Sequence, residues 1–439
     1  MTGDLSYIFR FKTIFRSLGY RNYRLFFYGQ SISLIGTWMQ RIAVPWLVYR
    51  MTGSAMLLGI SGFAGQIPSL VLSPFAGVIT DRWNRYHVLI WSQVLSMVHA
   101  FLLAWLVLSG SIQVWHIILL SFVIGCINTF DVPARHSFVI EMVEKKEDLG
   151  NAIALNSLMF NGARLIGPSI AGALLAATDE GVCFLINGIS FMGVIVSLLL
   201  MRINTKAPEA KKSDIMKEIR EGFSYVFGFL PIRHIILLLG LVNILVMFYS
   251  TLMPVFAKEV LGGDSHTYGF LMSAAGLGAL SGALYLASRE NVLKLGRIIP
   301  LAVIVFGVGL VILSFSRIFL LSMAVMIFVG MGLMLQAASS NTILQTITDD
   351  DKRGRVMSFY TMAVMGTAPF GSLLAGWLAK VIGTPFTILT GGVLSVAGAL
   401  VFLRKLPELK QLVHPIYVKM GIIPEVAEGI QNASESEVN

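Results

Sequence analysis

The chain has 439 residues, 56% of them hydrophobic and only 13% charged, with a mean hydropathy of +0.77. A soluble domain is about 45–50% apolar and about 25% charged, so these values exclude a soluble globular protein and indicate a chain that crosses a membrane many times. The net charge of +9 matters through its distribution along the chain, and no nucleic-acid partner is expected.

The start, "MTGDLSYIFRFKTIFRSLGYRNYR", is basic, but the apolar run after it is too long for a signal peptide and has no small-residue cleavage site. It reads as a cytoplasmic segment, 1–24, ahead of an uncleaved first span. A hydrocarbon core of about 30 Å needs about 20 apolar residues per helix. Twelve runs meet this: 25–49, 55–79, 88–108, 114–134, 152–177, 182–201, 235–257, 268–287, 298–315, 318–342, 356–379 and 386–403. With the N-terminus in the cytoplasm, only Arg50, Lys258, Arg317 and Lys380 of the basic residues fall on the outer side, and only Arg41 and Arg164 fall within spans. This asymmetry follows the positive-inside rule and places both termini in the cytoplasm. Cys126 and Cys183 lie in apolar runs and permit no disulfide framework or CxxC metal site.

The longest polar interruption, 202–234, divides the spans into two sets of six. Within it Ile215, Ile219, Phe223 and Val226 share one helical face, which predicts an amphipathic helix at the cytoplasmic surface. The halves are weakly alike: at an offset of 204 residues "PSIAG" (168–172) lies over "SLLAG" (372–376). The expected organisation is a bundle at 25–201, the linker at 202–234, a second bundle at 235–403 and a cytoplasmic tail at 404–439. Two such halves with a site between them are the plan of a transporter.

Polar residues inside spans are the candidates for function, because hydrocarbon penalises each of them. Arg164 falls at the middle of span five, on one stripe with Ser157, Asn161 and Pro168. It reads as an anchor for anionic or hydrogen-bonding groups of a substrate, or as a buried bridge between spans. Of the 24 acidic residues only Asp131 comes close to a span interior, which favours the anchor. Arg41, in the outer half of span one, either faces a hollow or snorkels to the surface. Gln40 and Trp38 beside it are candidate substrate contacts, and Trp38 alternatively packs on span five. Gln66, Asn128, Asn161, Asn243, Gln336 and Asn341 either bond between helices or line a hollow, and together they predict a wet interior. Asn128, Asp131 and Arg135 share a face at the cytoplasmic end of span four, where Asp131 is read as part of a charge latch or as a proton carrier. His99, near the middle of span three, carries protons or bonds to a neighbouring span. The remaining histidines show no metal-ligand spacing; neither metal nor cofactor is expected.

The stretch "GVITDRWNRYH" (77–87) resembles the loop signature Gly-x-x-x-Asp-Arg-x-x-Arg of the major facilitator superfamily, matched by Gly77, Asp81, Arg82 and Arg85, with Tyr86 in place of the usual second basic residue. "GTWMQRIAVPWLVY" (36–49), "NTFDVPARHSFVIEMV" (128–143), "LGNAIALNSLMFNGARLIGP" (149–168) and "CFLINGISF" (183–191) are similar to the bacterial transmembrane secretion-effector branch, which includes the enterobactin exporter and stands near macrolide efflux pumps. "GPSIAG" (167–172) partly matches the exporter signature Gly-Pro-x-x-Gly-Gly, with Ala171 at a usual glycine. The resemblance covers about residues 20–405. It implies an all-α integral membrane fold of twelve transmembrane helices in two pseudo-symmetric six-helix bundles. It also implies that Gly77, Asp81, Arg82, Arg85, Asp131 and Arg135 form a gating cluster.

The resulting expectation is a secondary active transporter in the bacterial cytoplasmic membrane, a monomer surrounded by lipid bilayer. It exports a small siderophore- or drug-like organic compound by alternating access, in exchange for protons. A lipid-handling or uptake carrier of the same fold, or a receptor that transports nothing, stays open at this point. No P-loop is present, so ATP is not a direct drive. An enzyme would need converging His, Asp or Glu groups, or a nucleophile with a base, which His99 alone does not supply.

Overall fold

The computed structural model describes residues 15–202, 215–289, 293, 295–349 and 351–420, with backbone only at 74, 75, 77–82, 146 and 215–219. Twelve long helices form two sets of six. The first set is α1 (Arg21–Thr52), α2 (Ala55–Arg82), α3 (Arg85–Leu108), α4 (Val114–Glu141), α5 (Leu149–Ala177) and α6 (Glu180–Leu199). The second is α7 (Leu230–Val260), α8 (Ser265–Ala287), α9 (Leu295–Phe315), α10 (Phe319–Ile347), α11 (Arg353–Ile382) and α12 (Thr384–Lys419). Eleven are long and apolar enough to span a membrane by composition alone. The other, α1, has 32 residues and carries Arg21, Arg24, Arg41 and Arg50, so its hydropathy is diluted although its length suffices.

Helices outrun the apolar runs where a packed stripe continues past the hydrocarbon. Helix α12 reaches Lys419 in place of the expected end near 403, because Leu406, Leu409 and Val413 stay buried on one face despite Pro407 and Pro415. Helix α2 continues to Arg82, so the expected hairpin signature begins on a helix. A linker helix, Ile215–Gly228, joins the halves. Val226 is fully buried while Phe223 is 54% exposed, so the apolar face is only partly covered; the side chains of Ile215 and Ile219 lie outside the described residues. The linker helix packs on α11, through the Phe227 and Phe359 rings and the Arg355–Glu221 ion pair at 2.9 Å.

The ends of the bundle differ. On the face opposite the linker, here the far face, the hairpins turn on Gly53, Gly110, Gly262 and Gly383, all with φ between 58° and 84°, a conformation that penalises a Cβ. The linker face carries the start of α1, the end of α12 and the linker helix.

The halves meet along two related seams, α5 on α8 and α2 on α11. A Cβ at Gly269 would lie 2.5 Å from the Pro168 carbonyl oxygen and 2.8 Å from Gly172 Cα. In the other seam a Cβ at Gly59 would lie 2.7 Å from the Ser372 carbonyl oxygen and 3.0 Å from Gly376 Cα. Helices α5 and α11 start 204 residues apart, and that same shift carries Pro168 and Gly172 onto Ser372 and Gly376. The weak repeat seen in the sequence is therefore a pair of close approaches between the halves, made possible by small residues. Hydroxyls and one amide secure the seams: Ser169 to Ser273 at 2.7 Å, and Gln66 to Ser372 at 3.0 Å.

At the far face the Tyr49 hydroxyl donates to Glu259, and Trp46 stacks on Tyr268 at 6.1 Å. Among the described residues, hydrogen bonds and ring contacts between the halves run from the level of Gln66 and Ser169 toward this face. The halves are joined there, whereas toward the linker Tyr28 and Ile32, on the same side of α1 as Trp46 at about 100° per residue, are 58% and 59% exposed, so the interior opens that way.

Overpacking a close seam costs about 1–3 kcal/mol. Gly269→Val and Gly59→Val should each shift the population away from the sealed far face by roughly one to two decades. Electron–electron distance measurements between labels at the far ends of α5 and α8 should show the longer distance becoming dominant; an unchanged distribution would contradict the seam assignment.

Candidate substrate-binding site

Helix α5 approaches α1 at Gly167, where a Cβ would fall 2.5 Å from Trp38 Cβ and 3.0 Å from the Ile35 carbonyl oxygen. The missing side chain lets the Trp38 indole lie against α5, edge-on to Phe160 with ring centroids 5.7 Å apart. Arg164 follows Phe160 by about one turn, and its Cζ lies 5.8 Å from the Trp38 ring centroid. Arg41 follows Trp38 by about one turn, with its Cζ 4.8 Å from the same ring. Two guanidiniums thus share one indole, an arrangement in which each cation–π contact contributes about 0.5–2 kcal/mol while the like charges repel.

Arg41 is exposed, although it lies within electrostatic range of Arg164 on α5 and Arg135 on α4. Arg41 therefore reaches a wet interior space. Arg164 is half-buried and lies within electrostatic range of Tyr249, a buried residue of α7, so it sits where the two halves meet.

No Asp or Glu occurs in α1, α3, α5, α8, α9, α10 or α11. Among the described residues neither Arg41 nor Arg164 has an ion-pair partner. Asp131, the carboxylate closest to a span interior by sequence, is 3% exposed and committed within the first half. It accepts from Ser92 Oγ at 2.6 Å and Gln93 Nε2 at 2.8 Å, and pairs with Arg135.

The remaining candidates separate into groups. Gln40 turns away from the hollow: its Oε1 accepts from Asn187 Nδ2 at 2.7 Å and its Nε2 is 3.5 Å from His99 Nδ1. His99 Nε2 is 3.0 Å from the Leu120 carbonyl oxygen, so this buried network ties α1, α3, α4 and α6 together. Asn161 and Asn243 bond to carbonyls of their own helices, those of Ser157 at 2.8 Å and Leu239 at 3.0 Å. Gln66 belongs to the α2–α11 seam, where Ser372 also receives Thr251 at 3.4 Å. Asn128 is half-buried on α4. Asn341 accepts from Gln345 at 2.5 Å on α10. Gln336, 1% exposed, has neither amide atom hydrogen-bonded among the described residues, and the same holds for the hydroxyls of Ser339 and Ser340. It is buried within the second half.

Of the gating candidates, Gly77, Asp81 and Arg82 fall in the last turns of α2, and their side chains lie outside the described residues. Arg85 pairs with Glu141 at 3.0 Å, joining the start of α3 to the end of α4. Sequence reasoning missed the Tyr49–Glu259 closure, since Glu259 falls just past the apolar run of span seven and reads as a loop residue.

Two six-helix halves around a hollow shared between them define a secondary transporter of the major facilitator type. A family model described as transmembrane secretion effector matches residues 13–432, and the chain belongs to that family. It is 27% identical over 383 residues to a staphyloferrin A transporter of Staphylococcus aureus, covering 86% of this chain and 95% of the relative. It is 26% identical to the multidrug efflux pump Tap of Mycolicibacterium fortuitum, over 84% and 92% of the two chains, and 22% identical to macrolide efflux protein A of Streptococcus pyogenes, over 87% and 96%. Among solved structures, the nucleoside transporter NupG superposes with a TM-score of 0.70 at 11% identity, covering 88% of this chain and 98% of that one. A bacterial homologue of the lysosomal transporter Spinster, in an inward-facing unoccupied state, superposes with a TM-score of 0.63 at 13% identity, covering 91% and 98%. These relatives and neighbours are transporters, not enzymes.

The network around His99 is a stability element. Removing one partner leaves a buried polar group unpaired, which costs about 1–3 kcal/mol. Asn187→Leu should lower the melting temperature by several degrees, measured by fluorescence in lipid nanodiscs, while His99→Gln stays near the parent; a melting temperature unchanged by Asn187→Leu would contradict the network.

Proposed function

We propose that this transporter exports an anionic organic compound of siderophore- or drug-like size across the bacterial cytoplasmic membrane, working as a monomer by alternating access. The observation that carries this reading is the pair of guanidiniums over Trp38, facing water and unmatched by any carboxylate in the same region. An intramembrane charge without a partner is a functional group by default, and two of one sign select a ligand of the other. The indole offers a flat apolar surface to the ligand's body. The names of the relatives, an efflux pump and an efflux protein among them, support the outward direction.

The linker face is the cytoplasmic one in this reading, because the basic residues concentrate there. The hollow, open toward the linker, then corresponds to the loading state. Gly77, Asp81, Arg82, Arg85, Asp131 and Arg135 are the latch that closes this mouth once cargo is bound, with Asp131 and Arg135 already paired. Proton exchange is the drive expected for such a chain. Asp131 with its three donors and His99 in its bundle-internal network are both occupied elsewhere, which supports a drive that does not run through either.

Hydrogen bonds to charged groups contribute about 1.5–3 kcal/mol, so Arg164→Ala should reduce export about ten- to a hundredfold. The test compares metabolites secreted by a deletion strain complemented with the parent, Arg164→Ala or Arg164→Lys. The lysine variant should export more than the alanine variant at equal protein level. Full export by Arg164→Ala would overturn the assignment.

A further inference from the structure

We propose that Arg41 and Arg164 are also voltage-sensing charges, so that the membrane potential resets the empty carrier and the cargo is a dianion. The hollow is continuous with water at one face and sealed at the other by the glycine seams and the Tyr49–Glu259 contact. Water and ions conduct, so the hollow takes the potential of the compartment it opens to, and the field falls across the sealed side. When the seal moves from one face to the other, the side chains barely move in space, yet their electrical position shifts across much of the membrane.

The charge that senses this is the net charge of the hollow. Asp131 and Arg135 neutralise each other. Arg41 and Arg164 have no ion-pair partner among the described residues, so the empty hollow carries about two positive charges. A potential negative at the linker face stabilises the linker-open state by up to about 50-fold per charge at 100 mV, the equivalent of about 2.3 kcal/mol. A dianion bound between the guanidiniums cancels the charge. The loaded carrier then reorients without regard to the field, and the empty one is drawn back. Each cycle moves two negative charges toward the far face, down the potential, so the potential adds its own drive to that of proton exchange.

The dianion assignment rests on the exporter reading above, whereas the voltage response of the empty protein does not. Ser54 and Lys380, from opposite halves, line one far-face cavity of about 290 Å³. The full chain, with Cys126→Ala and Cys183→Ala and with Ser54→Cys and Lys380→Cys carrying donor and acceptor dyes, is reconstituted in vesicles without cargo. A potassium gradient with valinomycin sets the potential. Making the linker face negative should raise energy transfer as the far face closes. Arg41→Gln and Arg164→Gln should each reduce the slope of log population against voltage by about half, and the double variant should abolish it. Arg164→Lys, which keeps the charge, should keep the slope. A voltage-independent parent, or a double variant with the parental slope, would overturn the proposal. Neither result would touch the export assay, so the two readings fail separately.

Discussion

Two guanidiniums without a carboxylate, held in one wet hollow inside a lipid-embedded bundle, are the constraint around which this structure is organised. Even the mildest insertion scale sets the cost of an arginine at a helix centre at about 2.5–3.5 kcal/mol. A neighbouring acid would relieve that cost, and none is present in α1 or α5. Water relieves it here, and the fold must keep an interior open to water while still sealing one face. Close packing of α1 on α5 at Gly167 fixes the Trp38 ring beside both charges, which on the proposed reading makes the ligand site rigid.

The seal and the site are made of different materials. The seams are built from glycine against backbone, in two copies related by the internal repeat, and can part without stranding a charge. The site is not repeated: the 204-residue offset brings Arg164 onto Ala368, a buried alanine of α11. Symmetry therefore belongs to the contacts between the halves and asymmetry to the buried charges. The breaks in regular helix fall in the second half, where α7 ends in a π-helical turn at Phe256–Val260 and α11 contains another at Met362–Gly366. Such turns are found at functional positions. The first carries Glu259 of the far-face closure, and the second includes Gly366, packed close to Leu70 of α2.

Much of this was legible in the sequence, for identifiable reasons. Span count and the division into halves follow from hydrocarbon thickness, which acts on composition alone. Arg164 announced itself because charge in a span is rare. What composition could not give was direction. Gln40 and Arg41 are adjacent, yet one turns toward Asn187 of α6 inside the first half and the other into the hollow, because consecutive helical residues differ by about 100°. Gln336 and Asn161 are both buried amides within spans, yet Asn161 donates to the Ser157 carbonyl while Gln336 has no partner among the described residues. Asp131 gave its location but not its partners, since Ser92 and Gln93 come from a different helix. The helix extensions at α2 and α12 were missed because packing outside the hydrocarbon leaves no apolar run of spanning length.

The most direct measurement of the central claim is the water accessibility of position 164. In a chain with Cys126→Ala and Cys183→Ala, Arg164→Cys can be challenged with a charged, membrane-impermeant thiol reagent added at the linker face. The account predicts rapid modification in the folded protein, slowed when the reagent is supplied only at the far face. A thiol that stays inert from both faces until the protein is denatured would mean that no hydrated hollow exists there.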